Sequence, residues 1–273
     1  MPYFTAQDKT KIYYYDWGTG KPVILIHGWP LTSASWEHQA RFLAENGFRV
    51  IAYDRRGFGR SDWAYSGYDY DTLANDLKRL MDELDLKETT LVGFSMGGGE
   101  VSRYLSQHGA ERVSKAVLIA SVPPYLLKTT DNPNGVDKEV FDGIVDAIKK
   151  DRAAFLKDFA PKFYGCTMKN HTVSQPFLDF FCAMAMTGSP KATTDLVRAW
   201  SETDFRNDLK RNPVPTLIIH GTNDATVPIE ISGKLSADLI PNSTFLEYEG
   251  QPHGLISTDY KKLNKDLLRF LNS

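Results

Sequence analysis

Residues 93–97 read Gly-Phe-Ser-Met-Gly and follow an apolar run that ends at Val92. The pentapeptide alone is weak evidence, because glycine and serine are common residues. Its position is more informative, since it lies between a predicted strand and a helix predicted over Gly98 to Gln107. This is the setting of a sharp, strained turn that exposes a serine hydroxyl at the end of a strand. The pattern therefore predicts that Ser95 is a nucleophile rather than a solvated turn residue.

A serine hydroxyl becomes a useful nucleophile only when a base removes its proton. In folds with this type of turn, the chain order is serine, then an acid, then histidine. His253 is the only histidine that follows both Ser95 and the candidate acid Asp224, and it lies in a loop after the apolar run 244–246. We therefore predict that His253 is the general base. The other histidines are interpreted as structural: His27, His38, His108, His171 and His220.

The acid should lie in a loop that follows a strand. Asp224 meets this requirement, because it comes shortly after the predicted strand 216–219. The other suitable loop, residues 121–124, reads Ser-Val-Pro-Pro and has no carboxylate. Asp204 and Asp208 lie in a polar stretch elsewhere and rank behind. We predict that Asp224 holds the imidazole in the correct tautomer and stabilises it when protonated.

Acyl transfer from a carbonyl also needs two N–H groups that bind the developing oxyanion. Met96 should provide one backbone N–H, at the start of a helix whose dipole favours negative charge. The second should come from residues 27–30, His-Gly-Trp-Pro, where Trp29 can donate and Pro30 has no N–H. Pro30 also restricts Trp29 to extended conformations. We expect this to fix where the Trp29 backbone points and thereby to influence which nucleophile attacks the acyl-enzyme.

The strands that must position these residues are predicted from short apolar runs, which are typical of strands buried on both faces of a parallel sheet. The runs are residues 23–26, 49–53, 89–92, 116–119 and 216–219. Helical patterns lie between them, over Ser35 to Asn46 and Asp71 to Leu84, and residues 3–5 and 11–15 indicate a β-hairpin. The alternation predicts an α/β fold with a wound, mostly parallel sheet and helices on both faces.

Between residues 122 and 212 the alternation stops, and the chain shows helical stretches rich in phenylalanine and methionine. We interpret residues 122–212 as a helical lid inserted in one domain. The α/β core is then predicted to comprise residues 1–121 and 213–273.

The composition excludes several other classes of protein. Of 273 residues, 42% are hydrophobic and 24% charged, so we expect a packed core. The formal net charge of -2 gives no basic surface for nucleic acid, so we expect no nucleic-acid partner. The longest apolar runs are only strand-length, and the N-terminus has no basic region before an apolar segment. We therefore expect no membrane segment, no secretory signal and a cytoplasmic location. Cys166 and Cys182 are too few for a disulfide framework and are interpreted as free thiols.

Four motifs together carry a resemblance to a known family. They are residues 27–30 (His-Gly-Trp-Pro), 53–61 (Tyr-Asp-Arg-Arg-Gly-Phe-Gly-Arg-Ser), 93–99 (Gly-Phe-Ser-Met-Gly-Gly-Gly) and 251–254 (Gln-Pro-His-Gly). The chain resembles the cofactor-free (non-haem) haloperoxidase, aryl esterase and perhydrolase family of the α/β hydrolases. The likeness runs from Tyr3 to Leu271 and is weakest in the predicted lid.

This resemblance implies an α/β-hydrolase fold with a sheet of about eight strands. It implies esterase activity on small esters, perhydrolase activity that makes peracids, and association into a homo-oligomer. Phe159, Phe163 and Pro30 would line the substrate pocket. From the residues alone, Phe159 and Phe163 are two aromatics four apart on a helix, which fits a core contact equally well. No two-histidine helix motif, cysteine cluster or Walker loop is present, so no metal or organic cofactor is implied.

We conclude that the sequence predicts a serine hydrolase that acts on small carboxylic esters through an acyl-enzyme. Perhydrolysis as the main activity, with the peracid halogenating a second substrate, is one alternative, and lactone or lactam hydrolysis is another. A dehalogenase or epoxide hydrolase is disfavoured, because those relatives have aspartate where Ser95 stands. A non-enzymatic ligand receptor is also disfavoured, because all three residue types of the relay are present.

Overall fold

The short apolar runs of the sequence form the middle strands of one sheet in the computed structural model, which describes residues 2–273. Within those residues, eight strands lie in the spatial order β1-β2-β4-β3-β5-β6-β7-β8. The strands are β1 (Tyr3–Thr5), β2 (Lys11–Trp17), β3 (Pro22–Ile26), β4 (Arg49–Tyr53), β5 (Thr89–Phe94), β6 (Val113–Ile119), β7 (Thr216–Gly221) and β8 (Ser243–Tyr248). The first two strands pair antiparallel, β2 pairs antiparallel with β4, and the remaining pairs are parallel. The predicted α/β fold with a mostly parallel sheet is confirmed.

Helices connect the strands and cover both faces of the sheet. They are α1 (Glu37–Glu45), α2 (Tyr70–Glu83), α3 (Met96–His108), α4 (Lys138–Phe163), α5 (Gln175–Met186), α6 (Pro190–Glu202), α7 (Arg206–Lys210), α8 (Gly233–Leu239), α9 (Leu255–Thr258) and α10 (Tyr260–Asn272). The helix predicted from Ser35 begins instead as a 3-10 turn over Ser33–Trp36, which the Thr32 hydroxyl caps at the Ala34 N–H. The helix predicted from Gly98 begins earlier, at Met96, directly after Ser95.

Successive residues of β3 explain why the central strands are apolar throughout. Val23 and Leu25 face one hydrophobic core, which includes residues of α1 and α10, whereas Ile24 and Ile26 face the other, which includes residues of α2 and α3. Because both faces are covered, neither set of alternating side chains reaches water. Successive side chains of the strand therefore alternate between the two faces, but the sequence shows no alternation of apolar and polar residues.

Helices α4 to α7 lie between β6 and β7, within the predicted lid. The long α4 is broken at Asp151, where φ is -159° and ψ is 95°, and the Asp151 carboxylate accepts a hydrogen bond of 2.9 Å from the Ala154 N–H. This contact caps a new helical start, as aspartate does at a helix N-terminus. The second part of α4 then brings Phe159 against the ring of Trp29, with the ring centroids 5.9 Å apart.

Candidate active site

Ser95 occupies the single residue between β5 and α3. Its backbone has φ 54° and ψ -119°, a conformation that costs a residue with a Cβ atom about 1–3 kcal/mol. The Ser95 N–H donates to the carbonyl oxygen of Ile119 at 2.8 Å, and its own carbonyl accepts from Gly98 at 3.0 Å. These contacts hold the sharp turn that the sequence predicts, with the serine at the carboxyl end of a central strand.

The two glycines that flank this turn are required by close backbone approaches. A Cβ atom on Gly93 would collide with the carbonyl of Gly97, and a Cβ atom on Gly97 would collide with the carbonyl of Ile26. Strand β5, helix α3 and the end of β3 therefore pass closer together than any other residue type allows. This is the physical reason for the Gly-x-Ser-x-Gly spacing.

The structure brings Ser95, Asp224 and His253 together from the loops after β5, β7 and β8. The Ser95 Oγ lies 2.9 Å from His253 Nε2, and His253 Nδ1 lies 2.7 Å from Asp224 Oδ2. All three residues are buried, with exposed fractions of 5%, 6% and 1%, respectively. Assigning the Nδ1 proton to the carboxylate contact leaves Nε2 as an acceptor for the serine hydroxyl, the arrangement that general-base activation needs.

Asp224 is held in an ionised state by its surroundings. Its Oδ1 accepts hydrogen bonds from the backbone N–H groups of Thr226 at 2.9 Å and Val227 at 2.8 Å. Burial alone raises the pKa of this carboxyl, but the interaction with His253 and the polar contacts of His220 and His253 outweigh it. Together they hold the pKa of Asp224 well below its usual range.

His220 is a neighbour of the acid that sequence reasoning did not find. Its Nε2 lies 2.9 Å from the Val227 carbonyl and 3.2 Å from Asp224 Oδ2, and the side chain is fully buried. We interpreted it as structural because it precedes the acid in the chain. The available signal was its position at the end of β7, only four residues before Asp224.

Aromatic rings enclose the imidazole of His253. The ring centroid of Phe163 lies 4.7 Å away, edge to face, and that of Phe94 lies 5.2 Å away. Phe163 is fully buried and also packs on Phe181. The resemblance placed Phe163 in the substrate pocket, whereas the structure places it against the base, where it limits rotation of the imidazole.

Two residues that line the cavity with Ser95 have backbone N–H groups without a hydrogen-bond acceptor in the described chain. Trp29 and Met96 border the same cavity as Ser95, and neither backbone N–H donates to another residue in the part of the chain that the structure describes. Met96 is the first residue of α3, so its N–H has no partner within the helix. The peptide bond between Trp29 and Pro30 is cis. Both N–H groups are therefore available to an oxyanion.

A buried polar cluster supports the loop that carries Trp29. The His27 ring contacts the Gly28 carbonyl through Nδ1 at 2.8 Å and accepts the Arg55 backbone N–H at Nε2 at 2.9 Å. Arg55 also donates to the His27 carbonyl at 2.8 Å and pairs with Glu100 at 2.9 Å. Burial lowers the pKa of Arg55 to about 10 and raises that of Glu100. Arg55, which lies in the motif of residues 53–61, thus anchors the loop that carries Trp29.

A cavity of about 250 Å³ opens on the Ser95 hydroxyl and the His253 ring. Its wall is mostly apolar, with contributions from Val122, Leu126, Val136, Val140, Phe141, Ile144, Phe159, Trp200, Ala225, Val227 and Pro228. Thr226 and Lys162 are the polar side chains on the wall outside the Ser95 and His253 pair. Of the three residues expected to line a pocket, Phe159 borders this cavity, but Pro30 and Phe163 do not.

Three other features concern residues 2–273. There, no group of three or more histidine, cysteine or acidic side chains is arranged to hold a metal ion. No helix in that range has the length and apolar character to cross a membrane. Cys166 and Cys182 are both free thiols.

Comparison with known proteins gives the family. A profile for the alpha/beta hydrolase fold matches residues 21–260. The chain is 44% identical to the non-heme chloroperoxidase CPO-A1 of Kitasatospora aureofaciens over 274 aligned residues, covering all of both chains. It is also 44% identical to the bifunctional esterase/perhydrolase DCH of Acinetobacter calcoaceticus, again covering all of both chains. The crystal structure of bromoperoxidase from Bacillus anthracis is 48% identical, covers all of both chains and superposes with a TM-score of 0.96. The chain therefore belongs to the α/β hydrolase family, and within it is similar to the non-heme haloperoxidases and esterase/perhydrolases.

Proposed function

We propose that this protein is a serine hydrolase that cleaves small carboxylic esters through an acyl-enzyme on Ser95. The observation that carries the proposal is the unbroken relay from Ser95 Oγ to His253 at 2.9 Å and from His253 to Asp224 at 2.7 Å. Ser95 and His253 line an apolar cavity together with Trp29 and Met96, whose backbone N–H groups donate to no other residue within residues 2–273.

In the first half-reaction, the Ser95 Oγ attacks the ester carbonyl carbon while His253 Nε2 accepts the hydroxyl proton. The carbonyl oxygen becomes an oxyanion and accepts hydrogen bonds from the N–H groups of Met96 and Trp29. Asp224, ionised because its pKa is held low, stabilises the imidazolium. The tetrahedral intermediate then expels the alcohol, which takes the proton from His253.

In the second half-reaction, water attacks the acyl-enzyme. His253 removes a proton from the water, and the same two N–H groups bind the new oxyanion. Collapse of this intermediate returns the proton to Ser95 and releases the carboxylic acid. The cavity of about 250 Å³ admits one small apolar acyl or alcohol group, which supports a preference for small esters.

Perhydrolysis is the second candidate activity, because the relatives of this chain carry names such as non-heme chloroperoxidase and esterase/perhydrolase. Here hydrogen peroxide replaces water, its proton goes to His253, and the acyl group leaves as a peracid. A peracid passes one oxygen atom and its proton to a halide ion, giving hypohalous acid and the carboxylate, so the protein itself undergoes no redox change. Bromination of a test substrate that needs both added carboxylate and peroxide would distinguish this activity from simple hydrolysis.

Kinetics on p-nitrophenyl acetate test the proposal. We expect Ser95→Ala and His253→Ala each to lower turnover by about 10³-fold or more, because the relay acts as a unit. Circular dichroism checks that both variants fold. Undiminished turnover in Ser95→Ala would overturn the proposed function.

Two further proposals concern the surroundings of the site. We propose that residues 122–212 act as a lid over a core formed by residues 1–121 and 213–273, supported by the four helices between β6 and β7. We also propose a cytoplasmic location, supported by the free thiols of Cys166 and Cys182. Limited proteolysis within residues 122–212 and fractionation of the native cells test these two proposals.

A further inference from the structure

Lys162 is a charged residue on the mostly apolar wall of the cavity. Among the side chains that line the cavity outside Ser95 and His253, Lys162 is the only charged one within the described chain, and Thr226 is the other polar one. The rest of the wall is apolar. A substrate group with a negative charge would therefore find one favourable position in this cavity.

The backbone of Lys162 lies next to a residue that contacts the catalytic relay. It directly precedes Phe163, whose ring packs edge to face on the imidazole of His253 at 4.7 Å. The Phe163 carbonyl also accepts the Gly254 N–H at 2.9 Å, which joins the end of α4 to the loop that carries the base. Lys162 is exposed and is also one of the residues that line the cavity.

The charge of Lys162 is not neutralised by the protein. No carboxylate lies within 4.0 Å of its Nζ in the range that the structure describes, although many other lysines and arginines of the chain are paired. Lys162 lies in the last turn of α4, where a positive charge interacts favourably with the helix dipole. That interaction accounts for a basic residue in the turn, but it does not account for a charge that borders an otherwise apolar cavity.

We propose that Lys162 selects esters whose acyl or alcohol part ends in a carboxylate, such as half-esters of dicarboxylic acids. The methylene chain of such a substrate would lie on the apolar wall while its carboxylate pairs with the Lys162 ammonium group. A carboxylate that entered the cavity without this partner would lose hydration with no compensation. An ion pair beside an apolar surface is also less screened than one in open solvent. This inference rests on the proposed function.

The test compares two substrates of the same carbon chain length, p-nitrophenyl hydrogen glutarate, which is anionic, and p-nitrophenyl pentanoate, which is neutral. We expect Lys162→Met to raise KM for the anionic ester about fivefold, with kcat and both constants for the neutral ester nearly unchanged. Lys162→Arg should retain the preference, and Lys162→Glu should reduce it further. High salt should weaken the preference in the wild type and leave Lys162→Met unaffected.

Lys157→Met is the matched control, because Lys157 is exposed on the same helix but does not border the cavity. Equal ratios of kcat/KM for the two esters in wild type and Lys162→Met would overturn the inference. Calorimetric binding of glutarate to Ser95→Ala protein, with and without Lys162→Met, tests the same contact without turnover. Absence of turnover on both esters in the wild type would count against the proposed function, whereas the calorimetric comparison would still test the role of Lys162.

Discussion

Replacing His220 by leucine removes a side chain that contacts both Asp224 and the loop of residues 224–227. The His220 Nε2 lies 2.9 Å from the Val227 carbonyl and 3.2 Å from Asp224 Oδ2, and Val227 in turn donates to the other oxygen of Asp224. A hydrogen bond to a charged group contributes about 1.5–3 kcal/mol. Because this N–H is shared and the distance to the carboxylate is long, the low end applies.

A loss of about 1.4 kcal/mol in transition-state stabilisation corresponds to a tenfold lower rate. We therefore expect His220→Leu to lower kcat on p-nitrophenyl acetate about tenfold, with KM nearly unchanged, because His220 does not border the substrate cavity. His220→Gln should recover part of this loss, since its amide nitrogen can occupy the position of Nε2. Removing His220 should also raise the pKa of Asp224, because a contact that lowers it is lost, so kcat of His220→Leu should begin to fall at a higher pH on the acid side than kcat of the wild type.

The control for this prediction is His108→Leu, which alters a partly buried histidine on α3 outside the cavity. Thermal unfolding separates a kinetic effect from simple destabilisation. If folded His220→Leu retained the wild-type kcat and pH profile, His220 would have no part in positioning the acid. An equal loss in His220→Gln and His220→Leu would also refute a role for the Nε2 donor.

Three further changes test other parts of the site. Asp224→Asn should lower kcat about 10⁴-fold, measured on the same ester, because an amide favours the wrong tautomer of His253. Since the pKa of Asp224 is held low, its ionised form stabilises the fold above about pH 4, and this effect is lost in stronger acid. The free energy of unfolding in urea should therefore differ most between wild type and Asp224→Asn near neutral pH. Glu100→Gln should lower the free energy of unfolding by about 3–5 kcal/mol, because the buried guanidinium of Arg55 loses its carboxylate, and an unchanged urea midpoint would contradict this. Gly97→Ala should lower both kcat/KM and the melting temperature, because the new methyl group collides with the Ile26 carbonyl. A melting temperature equal to that of the wild type would show that the turn accommodates the methyl group.

The central strands and the candidate relay were accessible from sequence because each has a strong local signal. β3 is apolar at every position, since both of its faces are covered, and Ser95 lies between a strand and a helix within a glycine pattern that backbone contacts demand. Asp224 and His253 followed from chain order and from their positions in loops after apolar runs, where few residues of the right type occur.

The remaining features depend on contacts between distant parts of the chain. The break in α4 at Asp151 has an aspartate as its only local sign, and the position of Phe163 against His253 follows from the packing of α4 rather than from its own helical spacing. The His27 and Arg55 contacts join two loops that are adjacent only because β3 and β4 pair in the sheet. Periodicity within one element carries no information about such pairs.

The most direct test of Ser95 as the nucleophile is to find the residue that reacts with a serine-reactive fluorophosphonate. Intact-protein mass spectrometry of the wild type should show one adduct per chain, and peptide mapping should place it on Ser95. His253→Ala should react much more slowly, and Ser95→Ala should remain unlabelled. Labelling at another residue, or an adduct that persists in Ser95→Ala, would contradict the assignment of Ser95 as the nucleophile.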